Sequence, residues 1–121
     1  MAGNDLNILS YLEAGLKAES ARQNAIANNI ANMNTPGYRR SDIRFEEILA
    51  KAIGNNEKMD PSEDGIEFYQ PKTTDVKGNG NDVAMDMEVG AMVKNSLRYN
   101  AYMLLLKKKY RQIEAAIRVG A

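Results

Sequence analysis

Asp60-Pro61-Ser62-Glu63-Asp64-Gly65 opens like a calcium-binding loop. Oxygen-bearing side chains at positions one, three and five, followed by glycine, can wrap a hard cation. Such a loop needs a bidentate glutamate at position twelve, and here that position is Pro71, which offers no ligand. The stretch reads as an acidic surface turn. Gly78-Asn79-Gly80 lacks both the lysine and the strand-to-helix setting of a phosphate loop, and reads as a hinge. Glu46-Glu47 and the pair Asp86 and Glu88 have no apolar pocket to raise a carboxyl pKa, so they read as solvated helix faces or dipole partners. Lys107-Lys108-Lys109 with Arg111 has the charge to meet phosphate or lipid head groups. Tyr110 within that run belongs to an apolar helical stripe, which favours a charged helix shoulder instead. The chain has no histidine and no cysteine. It therefore lacks the commonest general base, the commonest metal ligand, a thiolate and any disulfide. These residue types point away from an enzyme, and they suggest no cofactor, no metal site and no small-molecule substrate.

With 121 residues the chain is one domain or less. Sixteen basic residues balance sixteen acidic ones, which argues against a nucleic-acid partner and removes the repulsion that keeps copies apart. Met1 to Asn7 shows no basic region and no cleavable signal follows. The longest apolar run, Ala101 to Leu106, is too short to span a bilayer. These features suggest a cytoplasmic protein or one exported without a cleaved signal.

A first helix is expected from a cap at Asn4 or Asp5 to about Asn32. Alternating steps of three and four pass through Leu9, Leu12, Leu16, Glu19, Gln23, Ile26, Ile30 and Met33, a coiled-coil-like seam with a polar middle. Ala14, Ala18, Ala21 and Ala25 line the other side. They are there either as good helix formers or to let another helix come close. Asn34-Thr35-Pro36-Gly37 ends the helix, because a residue before proline leaves the α region and Pro-Gly favours a tight turn. A short amphipathic helix, capped by Ser41-Asp42 and ended by Gly54, is expected over Ile43 to Ile53, with Phe45, Ile48, Leu49 and Ala52 packing back on the long helices. Asn55 to Asn81 reads as an extended loop or weak hairpin, with strands at Ile66–Tyr69 and Thr73–Val76 around Pro71.

The last helix is expected over Val83 to Val119, capped by Asn81 or Asp82 and followed by Gly120. Its seam is Met85, Val89, Met92, Ser96, Tyr99, Met103, Leu106, Tyr110, Ile113 and Ile117. It would be roughly 55 Å long, against roughly 42 Å for the first helix. The expected fold is mainly α: an antiparallel, coiled-coil-like hairpin of terminal helices, with a short helix and an irregular or β-hairpin insertion. Residues 1–38 and 82–121 form the paired helices and residues 39–81 the insertion. Leu97, Leu104 and Leu105 fall outside the seam. Either the Phe45 helix or another subunit must cover them.

Asn24, Asn28, Asn29, Asn32 and Asn34 crowd the end of the first helix. Asparagine competes for backbone hydrogen bonds, so these residues either ease the helix into its turn or face a neighbouring chain. Asn29-Ile30-Ala31-Asn32 followed by Thr35-Pro36-Gly37-Tyr38 resembles the signature of the bacterial flagellar rod, hook and hook-associated family, with Arg22-Gln23 matching its lead-in. Arg39 to Glu46 and the Asn81-Asp82-Val83 and Lys94 to Tyr99 segments also resemble the family, most closely its proximal rod members. About half the chain is covered by matching segments. Ala84 to Gly90 departs from the family's alternating acidic and basic run, and Gly90 costs about 1 kcal/mol relative to alanine in a helix interior.

The resemblance implies a structural subunit at the base of the flagellar rod, in the periplasm. It would leave the cell through the flagellar type III export apparatus without a cleaved signal. Its partners would be copies of itself, a FlgC-like rod protein and a FliE-like adaptor. Terminal helices would interlock into a tube that carries torque and leaves an export channel. The assembly residues expected are Leu9, Leu12, Leu16, Ile26 and Ile30 on the first helix, and Val89, Met92, Leu97, Tyr99, Met103, Leu104, Leu105, Leu106, Tyr110, Ile113 and Ile117 on the last. A cytoplasmic helical adaptor or export chaperone, dimeric on its own, is the alternative.

Overall fold

A computed structural model describes residues 2–60 and 66–120. Its elements in order are helix α1 (Ala2–Ala31), strand β1 (Asp42–Arg44), helix α2 (Glu46–Gly54), strand β2 (Glu67–Tyr69) and helix α3 (Met85–Gly120). The fold is mainly α, and the two terminal helices pack on each other as expected. They run antiparallel: Lys109 pairs with Asp5 at 2.6 Å at one end, and Asn29 meets Glu88 at the other. No described helix is long and apolar enough to cross a membrane.

α1 begins at Ala2, so Asn4 and Asp5 lie in its first turn and do not precede it as caps. Its alanine side receives the insertion. Ala14 and Ala18 are buried against Ile43, Phe45, Ala52 and Met59, with Tyr11, Ala21, Ile48 and Leu49 at the margin. Small side chains at two successive turns of α1 leave room for the Phe45 ring. Burying such a ring stabilises the fold by about 1.5–3 kcal/mol. Met59 is held in this core through its backbone N–H, which donates to Ser10 Oγ at 3.1 Å. The α2 face therefore covers α1. It does not cover Leu97, Leu104 and Leu105, which stay exposed on α3.

The insertion differs from the sequence expectation in two ways. Ile43 is in a strand, and α2 starts three residues later at Glu46, with Phe45 at its N-cap and no side-chain cap. Ser41-Asp42 does not cap it; Asp42 Oδ1 accepts the Ile43 N–H. An extended backbone here buries Ile43 and Phe45 together. Strand β2 pairs antiparallel with β1, Ile43 opposite Phe68, and not with residues 73–76, which form no strand. Lys72 sits at φ +55 just after Pro71, which turns the chain away before a second arm can pair. Most of the calcium-like stretch, residues 61–65, lies outside the described residues.

The largest correction concerns α3. The face that meets α1 is centred on Glu88, Asn95 and Leu106, the buried residues of the helix. Tyr99, Met103 and Ile113 of the expected seam remain half-buried. Met85, Val89, Met92, Ser96, Tyr110 and Ile117 are exposed. The helix is rotated so that polar groups face α1. Glu19 explains the rotation. It is buried on α1 and accepts from Asn95 Nδ2 at 3.1 Å, Arg98 Nε at 3.1 Å and Arg22 Nη1 at 2.8 Å. A buried carboxylate needs such partners more than a Met needs cover.

Close approach is also built into the contact. A Cβ at Gly15 would sit 2.2 Å from the Tyr102 ring, whereas one at Gly90 would meet nothing within 4 Å. Gly15→Val is expected to lower unfolding free energy by about 1–3 kcal/mol through overpacking. Gly90→Ala is expected to raise it by up to about 1 kcal/mol through helix propensity. Urea titration of both variants checks the opposite signs.

Candidate functional site

The signature turn is where the two terminal helices are tied together. α1 runs out at Asn32, whose N–H bonds to the Asn28 carbonyl at 3.1 Å and whose side chain bonds back to the same oxygen at 2.8 Å. Thr35 Oγ1 then donates to Asn32 Oδ1. These contacts belong to a helix easing into a turn. Gly37 follows at φ +75, a conformation that suits glycine. Its N–H donates to the Asn79 carbonyl at 2.9 Å. Gly80, at φ +84, lies against Gly37, where an added Cβ would stand 3.3 Å from the Gly37 Cα. Two glycines thus let the end of α1 touch the segment leading into α3.

Asn29 has a different task. It is fully buried and uses both ends of its amide. Nδ2 donates to the Ser41 carbonyl at 2.8 Å and to Glu88 Oε2 at 3.2 Å. Oδ1 accepts from the Ser41 N–H at 2.9 Å and from the Tyr38 hydroxyl at 3.1 Å. One side chain on α1 therefore holds the outgoing chain and α3 at once. Asn24, Asn28 and Asn34 are exposed.

Charges complete the junction. Arg40 Nε donates to Glu88 Oε1 at 2.6 Å, and Glu88 is 0% exposed. Asp82, also buried, accepts from the Arg40 N–H at 2.6 Å and from Arg39 Nε at 3.0 Å. Asn81 Nδ2 reaches the Asn32 and Thr35 carbonyls, both at 2.8 Å, and its Oδ1 accepts the Val83 N–H. Asn81 and Asp82 are thus not caps of α3, which begins at Met85; they bind the turn instead. Burial works against the Arg40 charge, but the bond to Glu88 and its charge outweigh it and hold the guanidinium pKa above its ordinary value. Burial pushes the Tyr38 phenol up as well.

This arrangement is mechanical. Asn29, Asn81, Asp82 and Glu88 each bond to other groups of the same chain, and the groove beside the junction, about 580 Å³, is lined by charges that already pair, among them Arg22, Arg40, Asp42 and Glu46. Among the described residues no cluster of carboxylates could hold a metal ion. The rest of the signature lies at the surface of the turn: Ala31, Thr35, Pro36 and Gly37 are exposed, and Ile30 and Tyr38 are half-buried.

The residues read from sequence as assembly positions divide into three sets by exposure. Ile26 and Leu106 are buried. Leu9, Leu12, Leu16 and Ile30 on α1, and Tyr99, Met103 and Ile113 on α3, are half-buried. Val89, Met92, Leu97, Leu104 and Leu105 are exposed, as are Tyr110 and Ile117. Sequence reasoning missed Glu19, Arg40, Glu88 and Asn95 as structural partners; Glu88, read as a solvated face or dipole partner, is instead buried and paired with Arg40 and Asn29. The signal was present for Glu19, which breaks an apolar seam with a charge.

Asn29→Ala is expected to lower unfolding free energy by about 2–3 kcal/mol, because it strands the Ser41 N–H and one face of Glu88 in the interior. Asn29→Asp should cost more, since its carboxylate would face Glu88 and donate nothing. Chemical denaturation of the two variants beside the parent checks the order.

The family model described as flagella basal body rod protein matches residues 9–39, which spans most of α1 and the signature turn. The chain is 31% identical over 127 residues to the flagellar basal body rod protein FlgB of Buchnera aphidicola subsp. Baizongia pistaciae, covering 91% of each chain. It is 38% identical over 99 residues to the FlgB of Borreliella burgdorferi, covering 67% of this chain and 73% of that one. Against the FlgB of Bacillus subtilis it is 25% identical over 121 residues, covering 93% and 94%. With Asn29 and the turn it holds inside the matched residues, and relatives at 31% and 38% identity covering two thirds or more of the chain, the chain belongs to the flagellar basal body rod protein family, as a structural protein of the flagellar basal body most like FlgB.

Proposed function

We propose that the chain is a subunit of the proximal rod that self-assembles through its terminal helices, helps to transmit torque and lines the axial export channel. The observation that carries this reading is the exposed apolar surface of α3. Val93, Leu97 and Leu104 are each more than half exposed, on a helix that already has its intramolecular partner. Surface of that kind favours association once neighbours are available. Near-axial helices gripping one another through such faces resist twisting, because sliding one past the next would expose the apolar side chains to water.

In this reading residues 1–38 and 82–121 form the rod-wall unit and residues 39–81 an outer insertion. The exposed members of the two seams, with Leu97, Leu104 and Leu105, are the assembly surface. The neighbours are further copies, a FlgC-like rod protein and a FliE-like adaptor. The subunit passes through the flagellar type III export apparatus without a cleaved signal and assembles in the periplasm. The polar contact between α1 and α3 suits this route, since a hairpin with a modest apolar core unfolds readily for threading.

Hook–basal bodies purified free of membrane are expected to contain the chain at a near-constant ratio to the other rod proteins, as read by quantitative mass spectrometry. Its absence from them, with the protein left in the cytosol, would overturn the assignment in favour of a cytoplasmic adaptor.

A further inference from the structure

The face of α3 turned away from α1 carries a pattern of its own. Val93, Leu97 and Leu104 lie there, 55%, 65% and 68% exposed. Ala101 and Gly90 share their line, and each step is three or four residues, as in a two-stranded coil. Asp86 starts the line, and Lys108 and Arg111 end it, all three exposed. The pattern is nearly the same read backwards. Val93 and Leu104 are equidistant from a midpoint at Arg98–Tyr99, and so are Asp86 and Arg111.

We propose that this face pairs antiparallel with the same face of a second copy, forming a two-fold dimer of the free protein. Turning a second copy end for end about the midpoint sets Val93 against the partner's Leu104 and brings Leu97 level with the partner's Asn100, next to the partner's Ala101. Asp86 then faces the partner's Arg111. The acidic start of each helix meets the basic end of the other, and the two helix dipoles oppose. Gly90 falls level with the partner's Lys107, beside the stem of the partner's Lys108. Glycine weakens a helix interior, and a Cβ added at this one would meet no other part of the chain within 4 Å. A closely packed partner supplies the missing reason.

The complementarity selects the occupant. A parallel pair would set Asp86 beside the partner's Asp86, and Lys108 and Arg111 beside their own copies. An antiparallel two-fold contact is closed, so association stops at two. A rod grows by contacts that do not close. The dimer therefore keeps the apolar face covered, and it must separate before the subunit joins a lattice. It is a property of the free chain and stands whether or not basal bodies contain it.

Sedimentation velocity of the purified full chain is expected to show a reversible monomer–dimer equilibrium. Leu97→Glu should weaken it at least about tenfold with no change in far-UV circular dichroism, because the side chain is solvated in the monomer. The chain has no cysteine, so introduced thiols report cleanly. Val93→Cys mixed with Leu104→Cys should crosslink on mild oxidation. Neither should crosslink alone, since like positions lie roughly 17 Å apart along the axis, beyond disulfide reach. A chain that stays monomeric at its highest soluble concentration, an open-ended polymer, or efficient crosslinking of Val93→Cys by itself would each overturn the proposal.

Discussion

The buried carboxylate of Glu88 is the constraint on which the rest of the molecule depends. A charge removed from water needs partners held in place, and Arg40 and Asn29 supply them. One comes from α1 and the other from the chain leaving the turn, so meeting the need of a single side chain fixes three segments at once. It sets the register of α1 against α3 and the path of the turn. It also brings Arg40 to where its backbone can bind Asp82. Removing one member leaves the others uncompensated, which is why such a site specifies one arrangement more sharply than an apolar contact would.

Glu19 repeats the device two to three turns along. Asn95, Arg98 and Arg22 close around it, and Arg22 continues to Glu46 at the start of α2. Burial opposes the Arg22 charge, but the bond to Glu46 and the surrounding carboxylates outweigh it and hold its pKa above the ordinary value. The hairpin is thus bolted at two polar points, with Ala25 and Ile26 buried between them. An interface of this composition is specific without being strongly hydrophobic. Its consequence is on the outside, where the larger aliphatic side chains of α3 remain in solvent. Intramolecular folding uses polar complementarity, and apolar surface is left for other chains.

The insertion serves the same division. Phe45, Ile43 and Met59 fill the alanine side of α1, so this apolar cluster is built on α1 and takes no buried side chain from α3. The short β1–β2 ladder then holds the base of α2, with Arg44 stacked 4.4 Å over the Tyr69 ring.

By itself the sequence determined the two long helices, the break at Thr35-Pro36-Gly37, an apolar segment around Phe45 and membership of the rod family. These follow from local causes: helical periodicity, the backbone limits of proline and glycine, and a compact signature. Only the tertiary structure decided which face of α3 meets α1, that Ile43 is in a strand paired with Phe68, and that Asn81 and Asp82 bind a distant turn rather than cap a helix. Periodicity reveals that a helix has an apolar side but not whether its own chain or another covers it. Here the decision fell to Glu19 and Glu88, whose need for charge partners outweighs the gain from hiding methionine and valine. Those partners lie from three to almost eighty residues away in the chain. Their convergence is a property of the folded molecule.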